Sequence, residues 1–239
     1  MDVFADELCT KVKCIVSVFI NKPESFYRED DEMIINSKTT PEVIVFFNFR
    51  FGSFGFLDFG RESTTRSLNV GLYDVIAAFK WIKQEVYSFG GDPNRIAILS
   101  FGDFASSMIQ YLLSSTEAEQ LPLSRLVLVD PRPILKPHSN LILTNRLLEN
   151  LDCLKGANNE LMNTDDQFVC LRMKSTKTIV DATSNFQDFR AQSDTNLLNA
   201  RSYMDLLKKA WKISTIYMIS HKDAPFASDY NKTVKQVVP

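Results

Sequence analysis

Along this chain the apolar positions fall into two kinds of run. Lys13 to Ile20 and Val43 to Phe47 are β-branched and aromatic stretches of strand length. Leu72, Val75, Ile76, Phe79, Ile82 and Val86 instead recur at helical spacing, and Gly90-Gly91 behind them reads as the stop of that helix. Ile96 to Phe101 predicts another strand and Phe104 to Leu113 another helix. Leu126 to Val129 predicts a further buried strand, closed by the break Pro131-Arg132-Pro133. From Leu141 to Trp211 the pattern reads as mostly helical, with Ile213 to Ile219 as a last strand. Strands that alternate with helices imply an α/β fold, its mostly parallel central sheet covered by helices on both faces. There is no internal repeat, and the charge-rich stretch Arg28 to Lys38 reads as a surface loop.

Composition narrows the class without naming it. At 239 residues, 45% of them apolar and 23% charged, the chain suffices for one sizeable domain over 1–239. Its 27 basic and 29 acidic side chains leave a net charge of −2, so nothing steers it to nucleic acid or to an anionic membrane. The apolar run Cys14 to Ile20 is too short to cross a bilayer, and no transmembrane segment is expected. Asp2, Asp6 and Glu7 stand where a signal peptide needs basic residues, so the chain as it stands reads as cytoplasmic. No cofactor and no metal-ligand set is expected.

The chemistry centres on Ile96-Ala97-Ile98-Leu99-Ser100-Phe101-Gly102-Asp103-Phe104-Ala105-Ser106-Ser107. It has the strand, sharp turn and helix of a serine-esterase nucleophile elbow, a motif written small-X-Ser-X-small because strand and helix pass closely around a strained nucleophile. Ser100 serves as the first small residue, but Gly102 stands at the nucleophile's place and Phe104 at the second glycine's. Shifting the frame by one residue would offer Asp103, but would put Phe101 where a small residue is required. Ser100 lies on the strand and Ser106 and Ser107 inside the helix, where packing or surface roles suit them better than nucleophilic attack.

Other segments make the resemblance specific. Asn48-Phe49-Arg50-Phe51-Gly52-Ser53-Phe54-Gly55-Phe56-Leu57, Asn69-Val70-Gly71-Leu72-Tyr73-Asp74 and Phe89-Gly90-Gly91-Asp92-Pro93-Asn94-Arg95-Ile96 precede the elbow, in that order. Leu123 to Leu128 and Cys170-Leu171-Arg172 follow it. Together they resemble the type-B carboxylesterase/cholinesterase family of α/β-hydrolases, most closely over Val43 to Ser115. The resemblance implies the α/β-hydrolase sheet, incomplete at both ends of this chain.

It also implies a site, and the residues at that site depart from the family's pattern. Where the family carries a glycine-rich oxyanion loop, this chain reads Asn21-Lys22-Pro23-Glu24-Ser25-Phe26. Proline lacks the N–H donor, and lysine and glutamate do not adopt glycine-only conformations cheaply. Ile216 to Ala224 resembles the strand that ends in the family's triad acid, and Ala224 takes the acid's place, followed by Pro225. The family's catalytic histidine lies further on; the two histidines here, His138 and His221, read as surface or hydrogen-bonded residues. Losing a triad nucleophile alone costs about 10⁶-fold in turnover, and the residue of ~10³–10⁴ depends on an oxyanion hole that is altered here as well.

Cys153 and Cys170 resemble a family disulfide pair; the alternative is two reduced thiols of a cytosolic protein. Cys9 resembles the cysteine of another family pair whose partner would lie upstream. Asn231-Lys232-Thr233 is a glycosylation sequon, which carries weight only with export, and the family is usually secreted or cell-surface. Members of the family without the nucleophile serve as adhesion or recognition domains. The expected function is therefore a catalytically inactive binding or recognition module with an unknown protein partner. The alternatives are a divergent serine carboxylic-ester hydrolase and a remnant of a longer gene. Residues 213–219 form a candidate edge strand for self-association.

Overall fold

The computed structural model describes residues 1–20, 40–60, 68–115, 117, 120–121, 125–129, 140–156, 158–186, 189–192, 197 and 214–218. Among the described residues six strands form one sheet in the order β1-β3-β2-β4-β5-β6. They are β1 (Asp2–Ala5), β2 (Cys14–Ile20), β3 (Glu42–Phe47), β4 (Gly91–Phe101), β5 (Arg125–Val129) and β6 (Ser214–Met218). Among the described residues only β1 runs antiparallel to its neighbour, and the other pairings are parallel. The helices are α1 (Ser53–Phe56), α2 (Val70–Glu85), α3 (Asp103–Ser114), α4 (Leu141–Asn150), α5 (Thr164–Arg172) and α6 (Thr176–Thr183), with single 3₁₀ turns at Glu7–Thr10 and Val86–Phe89. The chain divides into two compact units. One holds Met1–Phe49, Val75–Lys136 and Thr195–Pro239, and the other Arg50–Asp74 and Pro137–Asp194.

In the first unit, period-2 alternation assigns every sheet residue to a face. Val16, Val18 and Ile20 of β2, Ile96, Ile98 and Ser100 of β4, and Leu126 and Leu128 of β5 share one face and are all buried. Phe79 of α2 packs edge-on against Phe47 of β3 at 5.6 Å, and Met108, Ile109 and Leu112 of α3 are equally buried. The opposite face carries an aromatic row across four strands. Phe4 lies 6.0 Å from Phe46, Phe46 5.0 Å from Phe19, and Phe19 6.1 Å from Phe101. There Phe19, Leu99, Phe101, Val127 and Val129 are half-buried, and Ile216 on β6 is 60% exposed.

Among the described residues of this unit the predicted strands and the helices α2 and α3 are present, with two differences. β1 carries no hydrophobic period, having one half-buried residue among three exposed ones, so the sequence pattern passed over it. β4 begins at Gly91 rather than Ile96, because Asp92 to Arg95 bulge out between the rungs Cys14–Gly91 and Val16–Ile96. Asp92 holds that bulge by accepting a hydrogen bond from the Asn94 N–H at 2.9 Å. The α2 stop falls where expected: Gly90, in the left-handed region, donates back to the carbonyls of Tyr87 and Val86.

Cysteine pairing brings a correction. Cys9 bonds to Cys14 and not to a residue upstream. The 3₁₀ turn Glu7–Thr10 reverses the chain just before β2, which brings the two Cα atoms to 5.4 Å, within disulfide reach. Cys153 is bonded to Cys170, as the family resemblance implied and against the reduced-thiol alternative.

The second unit is helical, but less continuously than the pattern from Leu141 onward predicted. The stretch between α4 and α5 is a loop with an isolated bridge between Lys155 and Leu161. The Cys153–Cys170 bond ties this loop to α5 beside a cluster of Leu147, Leu148, Leu151 and Leu171. Asn163 caps α5 by accepting from the Asp166 N–H at 2.8 Å, and Ser175 caps α6 by accepting from Thr178 at 3.1 Å.

Buried amides hold the loops of this unit. Asn69 exchanges two hydrogen bonds with the Gln192 backbone at 2.8 and 2.9 Å. Asn140 donates to the carbonyls of Phe56 and Arg190 at 2.8 and 2.7 Å and accepts from the Arg190 N–H at 3.3 Å. Its own N–H donates to the Gln192 side chain at 3.0 Å. Asn140 stands at the N-cap of α4, yet its side chain serves this network and not the helix. Nearby, the Arg50 carbonyl lies where a Cβ on Gly55 or Gly71 would sit, so two glycines of the sequence motifs let these backbones cross.

Candidate functional site

β2, β3, β4, β5 and β6 are mutually parallel, so their C-terminal ends share one edge of the sheet, where parallel α/β folds place their ligands. Gly102 lies at that edge, between the end of β4 and the start of α3. Its φ of 81° and ψ of 161° belong to a region that is essentially glycine's alone. A residue with a side chain would be strained at this turn by about 1–3 kcal/mol. Gly102 presents no nucleophilic atom here, only its backbone groups, and its carbonyl accepts from the Ser106 N–H at 3.1 Å.

Phe104 follows in the first turn of α3. Its ring stacks on Phe49 at 6.0 Å and 12° between planes, so an aromatic pair sits beside the turn where the motif calls for a glycine. Ser106 is fully buried and its hydroxyl lies 3.0 Å from the Ser100 carbonyl and 2.9 Å from that of Val129, to which it donates. That bond fastens α3 to the end of β5. Ser106 and the buried Ser107 therefore have the packing places expected of them.

β2, the strand beside β4, ends at Ile20, level with Ser100 and two residues before Gly102. Asn21, Lys22, Pro23 and Glu24 themselves lie outside the described residues, as do the Arg28 to Lys38 loop and the sequon at Asn231. β6 ends at Met218, level with Val129 of β5, at that same edge of the sheet. Ala224, Pro225, His138 and His221 are also outside the described residues.

A feature that sequence reasoning missed lies one helical turn below Ser106. Gln110 is 2% exposed, and neither its amide oxygen nor its nitrogen has a hydrogen-bond partner among the described residues. The hydroxyl of the fully buried Ser100 is likewise unpaired. The signal was present in the sequence, since Gln110 interrupts the otherwise apolar run from Met108 to Leu113.

Shifted ionisation occurs in the second unit, at Arg50 and Asp74. The guanidinium grips the carboxylate through two hydrogen bonds of 2.8 and 2.6 Å, and the Arg50 N–H adds a third at 3.1 Å. Burial of Asp74 opposes its ionisation, but these bonds outweigh it and hold its carboxyl below the ordinary range. Hydrogen bonding to Asp74 raises Arg50 in turn. The pair braces the turn before α1 against α2 and is half-exposed, so it contributes no more than about 1 kcal/mol. Among the described residues no cluster of three or more His, Cys, Asp or Glu could hold a metal ion. No helix among them is long and apolar enough to cross a membrane.

The sequence profile of the carboxylesterase family matches residues 3–236. The chain belongs to the carboxylesterase family. Among curated relatives it is 38% identical to the fumonisin B1 esterase of Sphingopyxis macrogoltabida over 93 residues, which cover 37% of this chain and 17% of that enzyme. It is 29% identical to human (Homo sapiens) Neuroligin-3 over 142 residues, 58% of this chain and 16% of the relative. A thermophilic PNB esterase superposes over 94% of this chain and 47% of its own, with a TM-score of 0.73 at 20% identity, and the two share the α/β-hydrolase fold. The chain thus spans less than a fifth of those two curated relatives and just under half of that solved PNB esterase.

Proposed function

We propose that this carboxylesterase-family chain is catalytically inactive and acts as a non-enzymatic binding or recognition module. The observation that carries the reading is Gly102 at the turn between β4 and α3, in a conformation that suits glycine and offers no nucleophile. Acyl transfer by this family's chemistry needs an oxygen at that apex, a base and oriented donors for the oxyanion. The sequence at Asn21 to Glu24 and at Ala224 supports the same reading, because neither segment retains the residue types such a site uses. Glycine at the turn also keeps the strand–helix geometry free of strain, so the fold persists without its chemistry. The family resemblance implies recognition as the role of members that have lost the nucleophile, and the match to Neuroligin-3 is in keeping with it.

A divergent ester hydrolase is the second reading, favoured by the esterase names of relatives such as fumonisin B1 esterase and para-nitrobenzyl esterase. Hydrolysis of p-nitrophenyl acetate and butyrate separates the two. The inactive reading expects rates equal to buffer at every enzyme concentration. A rate that rises in proportion to protein, and survives repurification, would establish the second reading instead.

A further inference from the structure

We propose that the outer face of α5 pairs with the same face of a second copy of this chain, antiparallel and about a two-fold axis at Val169. Gln167 and Leu171 are the buried residues of this helix. Its other side is an exposed stripe at helical spacing: Asp166, Val169, Arg172 and Met173. Val169 is 58% exposed and Met173, one turn on, 82% exposed. Two apolar side chains on one face, with a carboxylate before them and a guanidinium beside them, form a surface that a partner helix covers.

The charges select a second copy as the occupant. α5 is acidic in its first turn and basic in its last, and Asp166 and Arg172 stand three residues to either side of Val169. An antiparallel pair centred on Val169 therefore sets Asp166 opposite Arg172 of the second copy and Arg172 opposite its Asp166. The two valines meet between these ion pairs. A parallel pair would set Asp166 against Asp166, and only the antiparallel one opposes the helix dipoles favourably. Both charged groups are already held in place. The Asp166 carboxylate accepts from the Asn163 amide at 2.7 Å and keeps further lone pairs for a guanidinium. The Arg172 guanidinium lies over the Phe168 ring, 5.9 Å from its centre. An isologous contact of this kind closes at two copies, whereas a head-to-tail contact would propagate. One nine-residue helix per copy makes a small contact, so the dimer is weak and sensitive to salt. The inference does not rest on the reading of Gly102.

Light scattering on the full chain at low salt, across a wide concentration range, tests it. The expected mass rises toward twice 27.3 kDa with concentration, and less steeply when salt is added. Val169→Lys should weaken that association about tenfold or more, by setting two ammonium groups together at the axis. Val12→Lys, in the first unit at a site 54% exposed, should leave it unchanged. Asp166→Arg and Arg172→Glu should each abolish it alone, because like charges then meet at both ends of the contact. Mixed in equal amounts, these two variants should form a heterodimer in native mass spectrometry, since the arginines of one face the carboxylates of the other. All four variants should retain the wild-type near-UV circular dichroism. A single-chain mass at every concentration, an unaltered dimer in Val169→Lys, or no heterodimer from the folded pair of charge variants would overturn the proposal.

Discussion

Replacing Gln110 by methionine should stabilise the protein, against the usual sign of a core substitution. Gln110 lies on α3, 2% exposed, with an amide nitrogen and an amide oxygen that have no partner among the described residues. Its neighbours Met108, Ile109, Leu112 and Leu113 are buried and apolar. In the unfolded chain the amide is hydrated, and folding removes that hydration without replacement. An unsatisfied buried amide costs about 1–3 kcal/mol by protein mutational measures. Methionine is nearly the same length and shape, so the transfer gain comes with little overpacking, and the thioether accommodates the residual mismatch. A net gain of about 2 kcal/mol is expected, which for a chain of this size raises Tm by roughly 4–8 °C. Urea unfolding with an unchanged m-value would measure it directly. A Q110M variant that loses more than about 1 kcal/mol would show that the amide is satisfied in solution and that the reasoning is wrong.

Asn140→Ala should destabilise by about 3 kcal/mol, because the carbonyls of Phe56 and Arg190 and the Arg190 N–H lose their buried partner together; a loss below about 1 kcal/mol in urea unfolding would refute this. Gly71→Ala should cost about 3 kcal/mol, since the new Cβ would meet the Arg50 carbonyl and come within 2.7 Å of the Phe56 ring; a Tm within a degree or two of wild type would show that these backbones can part. Gly102→Ser should lose about 1–3 kcal/mol to strain at the turn and gain no turnover of p-nitrophenyl butyrate, so an active or unstrained variant would contradict the placement of the elbow.

The parts of the fold that were legible in the sequence are those where one face of an element is buried. Val16, Val18 and Ile20, or Leu72, Val75, Ile76, Phe79 and Ile82, leave a period that only one arrangement explains. β1 left none, because an outer strand with one half-buried residue has no face to mark. The Cys9–Cys14 bond was equally hidden. Sequence resemblance pointed upstream, while the pairing is decided by a 3₁₀ turn that four residues make just before β2. The Gly102 turn was legible because strand, small residue and helix follow one another without interruption. The amides of Asn69, Asn140 and Gln192 were not, since their partners lie 50 to 123 residues away and no local pattern connects them. Ile216 shows the same limit. Tyr217 is level with Leu128 of the covered face, so the exposed position of β6 follows from register and not from hydropathy.

Whether a serine nucleophile operates at the β4–α3 turn is decided by a fluorophosphonate probe on the intact protein. Such a probe phosphonylates an activated serine stoichiometrically, its oxygen displacing fluoride from phosphorus, and leaves packing serines such as Ser106 untouched. Intact-mass spectrometry after prolonged exposure is expected to show unmodified protein only. One mole of adduct per mole of chain, mapped to a single serine, would contradict the inactive reading and identify the nucleophile in its place.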